Sequence, residues 1–255
     1  MMLDSLFSLK GRTALVAGAG GLGIGMAEGF AKAGADVIVA DISPDNTARA
    51  AKIVTDCGTK AWELGFDIYD RDSIEKMVDD ALKFTGKIDI LANSVGISRM
   101  GHAEDLTVDD WQAVINAFLS GVFYACQIVG QKAMIPQKFG KIINIASISG
   151  MVVTGDMGSS YCTAKAGVIQ LSKALATEWC KYNINVNCIS PGYMLTALTE
   201  GFLVGDVLEH VSSGIPKGRI GTPEDMAGLA VFLASESSEY IIGQNIAIDG
   251  GYTAH

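Results

Sequence analysis

Tyr161-Cys162-Thr163-Ala164-Lys165 sets a phenol and an ammonium four residues apart, a short way after Ser147. From Tyr161 to Lys181, Ala164, Val168, Leu171, Leu175 and Trp179 recur at helical spacing, which predicts a helix. Tyr161 and Lys165 then leave the same helix face, one turn apart. A phenol with a pKa of about 10 is a poor proton acceptor at neutral pH. A neighbouring ammonium favours the phenolate. Bringing the phenol to about 7 takes roughly 4 kcal/mol, which a close cation in a dry site can supply. Ser147 ends the apolar run Ile142 to Ser147 and can place its hydroxyl beside the phenol. A solitary Tyr-x3-Lys on a helix is ordinarily a solvated pair, so this chemistry depends on what else the chain carries.

A second group of residues is built for a phosphate. The run Thr13-Ala14-Leu15-Val16 leads into Gly18-Ala19-Gly20-Gly21-Leu22-Gly23 and then a helical pattern. Glycines in a strand–turn–helix setting allow a tight turn and close approach of a pyrophosphate, whose charge sits at the helix N-terminus. The next strand ends in Asp41, 18 residues after Gly23. A carboxylate there can hydrogen-bond both ribose hydroxyls of NAD and repels the 2′-phosphate of NADP. No Arg or Lys lies in the glycine loop or directly after Asp41, so NAD is the expected cofactor.

The elements that must position these groups alternate along the chain. Strands are expected at Thr13–Gly18, Asp36–Asp41, Lys60–Phe66, Ile88–Asn93, Lys141–Ser147, Asn185–Ser190 and Asn245–Asp249. Helical segments are expected near 22–34, 45–57, 71–85, 107–132, 160–181 and 222–236. Apolar strands alternating with amphipathic helices predict an α/β fold, a parallel sheet covered on both faces. No linker or repeat divides the chain, so 1–255 is read as one domain. The long connection 194–215 carries its own apolar, helix-like piece and is a candidate substrate lid.

Composition narrows the function classes. Nearly half of the 255 residues are hydrophobic and 30 are glycine, which suits a packed core with many turns. A formal charge of −9 without a basic stripe argues against nucleic acid and anionic membranes as partners. Cysteines 57, 126, 162, 180 and 188 are scattered and odd in number, which fits free thiols in a reducing compartment. Nothing before Gly11 has the pattern of a signal peptide, and a cytoplasmic location is expected. Trp111 to Gln131 has the length of a membrane span. A polar stripe of Gln112, Asn116, Ser120, Gln127 and Gln131 marks it instead as a helix buried in protein. No His, Cys and carboxylate group has zinc spacing, so no metal is expected, and His102 reads as a surface residue.

Together the glycine loop, Asp67, Asn93-Ser94-Val95-Gly96, Ser147, Tyr161-x3-Lys165, Pro191-Gly192 and Asp249-Gly250-Gly251 resemble the short-chain dehydrogenase/reductase family in order and spacing. The resemblance covers nearly the whole chain. It implies a doubly wound Rossmann-type sheet in the order 3-2-1-4-5-6-7 and a homo-oligomer, tetramer or dimer, built partly on the helices at 107–132 and 160–181. It also implies cofactor contacts: Asp67 and Ile68 near the adenine, Asn93, Ser94, Val95 and Gly96 along the cofactor, Pro191 and Gly192 beside it, and Met194 with Thr196 near the carboxamide. Lys165 would bind the nicotinamide ribose.

The chain departs from the family in its glycine loop, where Gly18, Gly21 and Gly23 are the counterparts and Ala17 replaces a threonine. Asn93-Ser94-Val95-Gly96 stands for Asn-Asn-Ala-Gly. Phe118 stands where the family has an asparagine that helps hold a water chain from the lysine to solvent. A phenyl ring makes no such hydrogen bonds, and Asn116 points to another side of the helix, so an altered proton relay is expected.

The expected reaction is reversible hydride transfer between a secondary alcohol and a nicotinamide, with Tyr161 as acid and base, Lys165 lowering its pKa and Ser147 hydrogen-bonding the substrate oxygen. Ser-Pro-Gly-Tyr at 190–193, Arg99 and the ending Gly-Gly-Tyr-Thr look most like polyol, sugar and sugar-acid dehydrogenases. Arg99 could pair a substrate carboxylate. Ser149, Asp156 and Tyr193 could bind hydroxyls, with Met151, Met157 and Leu195 as apolar walls. Two other readings stand beside this one: a non-catalytic NAD-binding regulator, and a reductase of 3-oxoacyl thioesters.

Overall fold

Strands with apolar residues on both faces need cover on both faces, and the chain supplies it with helices. In the computed structural model, which describes residues 3–97, 99, 101–154, 158–196, 199–201 and 203–254, seven parallel strands pair in the order β3-β2-β1-β4-β5-β6-β7. They are β1 Thr13–Ala17, β2 Asp36–Asp41, β3 Ala61–Gly65, β4 Ile90–Asn93, β5 Gly140–Ile145, β6 Ile184–Pro191 and β7 Asn245–Ile248. The order implied by the resemblance is the order found. Every expected strand forms, with ends trimmed or extended by a few residues.

Two cores sandwich the sheet. On one face the helices Arg71–Thr85, Val108–Gln137 and Ser159–Trp179 bury Ile74, Met77, Ile128, Val129 and Leu175. On the other, Gly21–Lys32, Pro44–Asp56 and Pro223–Ala234 bury Met26, Phe30, Val54, Met226 and Leu233. Two of these helices start at a side-chain cap. Asp70 accepts from the Asp72 N–H, and Thr222 with Asp225 forms a reciprocal capping box ahead of Pro223.

The helix expected at 107–132 runs on to Gln137 and ends at Lys138 in the left-handed region, φ 54°. Its turns widen to π geometry at Asn116–Ser120 and Gly130–Met134. It is long and apolar enough by composition to cross a membrane, yet over half of its most apolar window, 56%, is buried inside this fold. The segment 194–215 forms a helix at Gly205–Ser213, anchored by Leu203, Ile215 and Ile220.

Register decides where a site can form. Ala17 lies opposite Ala40 and Asn93, and Asn93 lies opposite Asn144, so β1, β2, β4 and β5 finish close to one level. The chain leaves β1 for β2 on one side and returns to β4 on the other. The loops after β1 and β4 therefore part, and a crevice opens at the C-terminal edge of the sheet.

Candidate active site

A cavity of about 610 Å³ fills that crevice, from the glycine loop and Asp41 at one end to Ser147, Tyr161 and Lys165 at the other. Its outer end is shaped by missing side chains. Gly18 has φ +94°, and a Cβ there would sit 2.6 Å from the Ser94 carbonyl, so the loops after β1 and β4 touch only because Gly18 is bare. A Cβ on Gly23 would overlap the Gly18 carbonyl oxygen. The Gly21–Lys32 helix begins with no side-chain cap and no acidic residue in its first turn. Its first N–H groups are left for an anion, which fits a dinucleotide pyrophosphate. Gly20, Gly21 and Leu22 line the cavity beside it.

Asp41 ends β2 at this point. Its carboxylate accepts from the Gly20 N–H at 3.2 Å, the Ser43 N–H at 2.9 Å and Asn46 Nδ2 at 3.2 Å. Arg49, two turns into the following helix, also lines the cavity. Asp67, Ile68 and Tyr69 from the loop after β3 close this end, and Ser94, Val95 and Gly96 run along the middle.

At the inner end, Ser147 lies just past β5 in extended backbone, φ −166°, and its Oγ accepts the Ser149 N–H at 3.1 Å. A hydrogen bond from Ser147 pulls the Tyr161 phenol down, but burial pushes it up harder, and the net direction is up. The Lys165 ammonium donates to the Ile145 carbonyl at 2.8 Å and lies 5.7 Å from the centre of the Tyr161 ring. Burial brings Lys165 down to about 7. The expected lowering of the phenol by the lysine is thus not what this geometry produces. Burial weakens the hold of Lys165 on its proton, and the same desolvation opposes the phenolate.

Beside Ser147 the cavity carries several hydroxyl groups. Ser149 Oγ lies 2.7 Å from Thr154 Oγ1, and both side chains are buried. Thr154 also hydrogen-bonds Tyr193, whose ring meets Tyr252 at 5.5 Å and 70°. Thr196 and Thr199 also line the cavity, with Thr199 Oγ1 donating to the Met194 carbonyl at 2.6 Å. Pro191, Gly192 and Met194 complete the lining.

Other expected residues are placed differently. Arg99 is not brought to the cavity; its guanidinium pairs with Asp110 at 3.1 Å on an exposed loop. Asn93 is a core residue. Its Nδ2 donates to Asn144 Oδ1 at 2.8 Å, and Asn144 donates to Ser172 at 2.8 Å, while Asn93 Oδ1 is buried without a hydrogen-bond partner among the described residues. Gly23 is buried behind the loop and not on its surface. Asp156 and Met157 lie outside the described residues. Sequence reasoning missed Asn46, Arg49, Thr154 and Leu203, which belong to no motif; only their position one or two turns after a motif residue could have pointed to Asn46 and Arg49. No group of His, Cys and carboxylates able to hold a metal occurs among the described residues.

Known proteins are similar to this chain in sequence and fold. A family model described as enoyl-(acyl carrier protein) reductase matches residues 16–253. An NAD-dependent glycerol dehydrogenase of Listeria innocua is 41% identical over 251 residues, covering 98% of this chain and 97% of that protein. A 3-oxoacyl-(acyl-carrier-protein) reductase of Thermotoga maritima is 40% identical over 95% of this chain and 98% of its own. The crystal structure of a gluconate 5-dehydrogenase from Burkholderia cenocepacia, in complex with NADP and tartrate, superposes with a TM-score of 0.92 at 33% identity, covering 99% of each chain.

Proposed function

The chain belongs to the short-chain dehydrogenase/reductase family of nicotinamide-dependent oxidoreductases, and from that premise we propose that it interconverts a secondary alcohol of a polyol, sugar or sugar acid with the ketone, using NAD. The observation that carries this reading is the meeting of Ser147, Tyr161 and Lys165 in one cavity with the glycine loop and Asp41. When bound, the nicotinamide accepts or supplies the hydride. Tyr161 takes the hydroxyl proton during oxidation and returns it during reduction. Ser147 hydrogen-bonds the substrate oxygen, and Lys165 binds the nicotinamide ribose while its charge favours the phenolate.

The names of the relatives and the hydroxylated wall of Ser149, Thr154 and Tyr193 support a hydroxyl-rich substrate. Asp41 supports NAD. Arg49 at the same end and the NADP in the Burkholderia relative support some use of NADP as well. We also propose one domain over 1–255, a cytoplasmic location and a homo-oligomer, tetramer or dimer. The Thermotoga relative favours a second reading, reduction of a 3-oxoacyl thioester.

The raised phenol sets the direction of the pH dependence. Oxidation needs the phenolate and should quicken toward alkaline pH, whereas reduction uses the protonated phenol and should run well near neutrality. The test follows nicotinamide absorbance with a panel of polyols, sugars, aldonates and 3-oxoacyl thioesters, offered with NAD and separately with NADP. Turnover of a polyol or sugar acid that Tyr161→Phe abolishes supports the reading. Turnover confined to thioesters overturns the substrate class, and cofactor binding with no turnover on any member moves the chain to a non-catalytic NAD-binding regulator.

A further inference from the structure

We propose that Phe118 is a positioning residue of the active site, whose ring face holds the Lys165 side chain in its charged form and aims it at Tyr161. The Lys165 nitrogen lies 4.4 Å from the centre of the Phe118 ring, within cation–π range, while the Tyr161 ring meets the same phenyl at 5.2 Å and 87°. One aromatic ring therefore touches both members of the acid–base pair. Phe118 is 4% exposed and Lys165 is 4% exposed, so water does not screen the contact. Val114 and Ala164, with Ile97 and Ile115 at the edge, wall off the ring.

The ring is placed by the shape of its helix. The π turns at Asn116–Ser120 carry Phe118 at their centre and press Leu119 against Gly167 of the Ser159–Trp179 helix. Asn116, a polar side chain of that turn, is engaged by Gln112 at 2.8 Å on the exposed side.

The groups that face Lys165 leave the ring a role. From its own helix comes Tyr161, whose phenol is met by Ser147 and Cys162; from β5 the Ile145 carbonyl; and from β6 the Cys188 thiol. Cys188 in turn feels Lys173 and is pushed up to about 11 by burial, so at neutral pH it is a thiol and not a counter-ion. No carboxylate acts on Lys165 among the described residues. The Ile145 carbonyl and two ring faces, Phe118 at 4.4 Å and Tyr161 at 5.7 Å, are then the groups that favour ammonium over amine, and the Phe118 ring is the nearer of the two.

The kinetic consequence rests on the dehydrogenase reading, but the contact itself can be measured without turnover. Selective 15N labelling of lysine, with Lys165→Met to assign the signal, reads the Lys165 pKa by NMR in the native protein, Phe118→Leu and Phe118→Tyr. Leucine keeps an apolar filler without the ring quadrupole, and tyrosine keeps the ring. Phe118→Leu should lower the proton affinity of Lys165 by roughly 2- to 30-fold, the span of a buried cation–π contact, and lower kcat for alcohol oxidation near neutral pH with KM little changed. Phe118→Tyr should restore both. An unchanged Lys165 titration in a folded Phe118→Leu protein overturns the proposal. So do equal losses in the leucine and tyrosine variants accompanied by a lower Tm, which would make Phe118 a packing residue only. If the native protein binds cofactor but turns nothing over, the catalytic reading fails and the NMR titration still decides the contact.

Discussion

The Asp41 carboxylate at the end of β2 accepts the Gly20 N–H at 3.2 Å, so the acid expected to read the cofactor ribose also braces the loop expected to hold its pyrophosphate. Its other oxygen is held by the Ser43 N–H and Asn46 Nδ2. Charged hydrogen bonds of this kind are worth about 1.5–3 kcal/mol each. Asp41→Ala should weaken NAD binding by roughly 10- to 100-fold, seen by calorimetry, while NADP binding falls less or improves. Arg49→Gln in that background should remove the NADP gain. An unchanged ratio of the two affinities would show that Asp41 does not read the ribose.

Two glycine-to-alanine changes should have opposite signs. Gly23→Ala places a methyl group onto the Gly18 carbonyl, a backbone group that cannot turn aside. The loop must shift, and both Tm and cofactor affinity should fall together. Gly228, in the Pro223–Ala234 helix, has nothing among the described residues within 4 Å of an added Cβ. Gly228→Ala should stabilise by up to about 1 kcal/mol through helix propensity, with cofactor affinity untouched. Thermal unfolding and calorimetry on the pair check both statements.

Lys165 should make the cofactor-free protein more stable in mild alkali. Its folded pKa of about 7 lies below the ordinary 10.5. Between those values the unfolded chain binds the extra proton, so stability rises with pH across that window. Below about 7 both states are charged, and the cost of burying the ammonium is felt in full. The whole drop is worth on the order of 5 kcal/mol. Tyr161, raised above 10, reverses the trend beyond that pH because the folded state then keeps the proton. Urea unfolding from pH 6 to 10 should show a rise that Lys165→Met flattens; parallel curves for the two proteins would refute the assignment.

The pair of Thr154 and Ser149 should matter for hydroxyl-rich substrates. Thr154→Val keeps the shape but removes the oxygen that Ser149 Oγ meets at 2.7 Å and that Tyr193 also uses. Loss of a neutral hydrogen bond costs about 1 kcal/mol, roughly fivefold in KM for a polyol. A secondary alcohol without further hydroxyls should show little change. Equal effects on both substrates would mean that the wall only shapes the cavity.

Features within one or two helical turns of each other were legible in the sequence. Tyr161 and Lys165 share a face because of the helical repeat, and strand, glycines and helix follow one another so closely that the phosphate-binding turn needs no distant residue. Asp41 was readable for the same reason, as the end of the next strand. The order of the strands was not written in any local pattern and came from the likeness to a family. What packing alone decided is of another kind. Thr154 enters the cavity, and Arg99 turns away to Asp110, because of where separate segments meet. The sequence showed that Phe118 cannot hydrogen-bond; only the fold set its ring against Lys165. The sign of the Tyr161 shift also reversed between the two views. Spacing along a helix determines which charges are neighbours. How much water they lose depends on every element packed around them, and that desolvation outweighs the neighbour here.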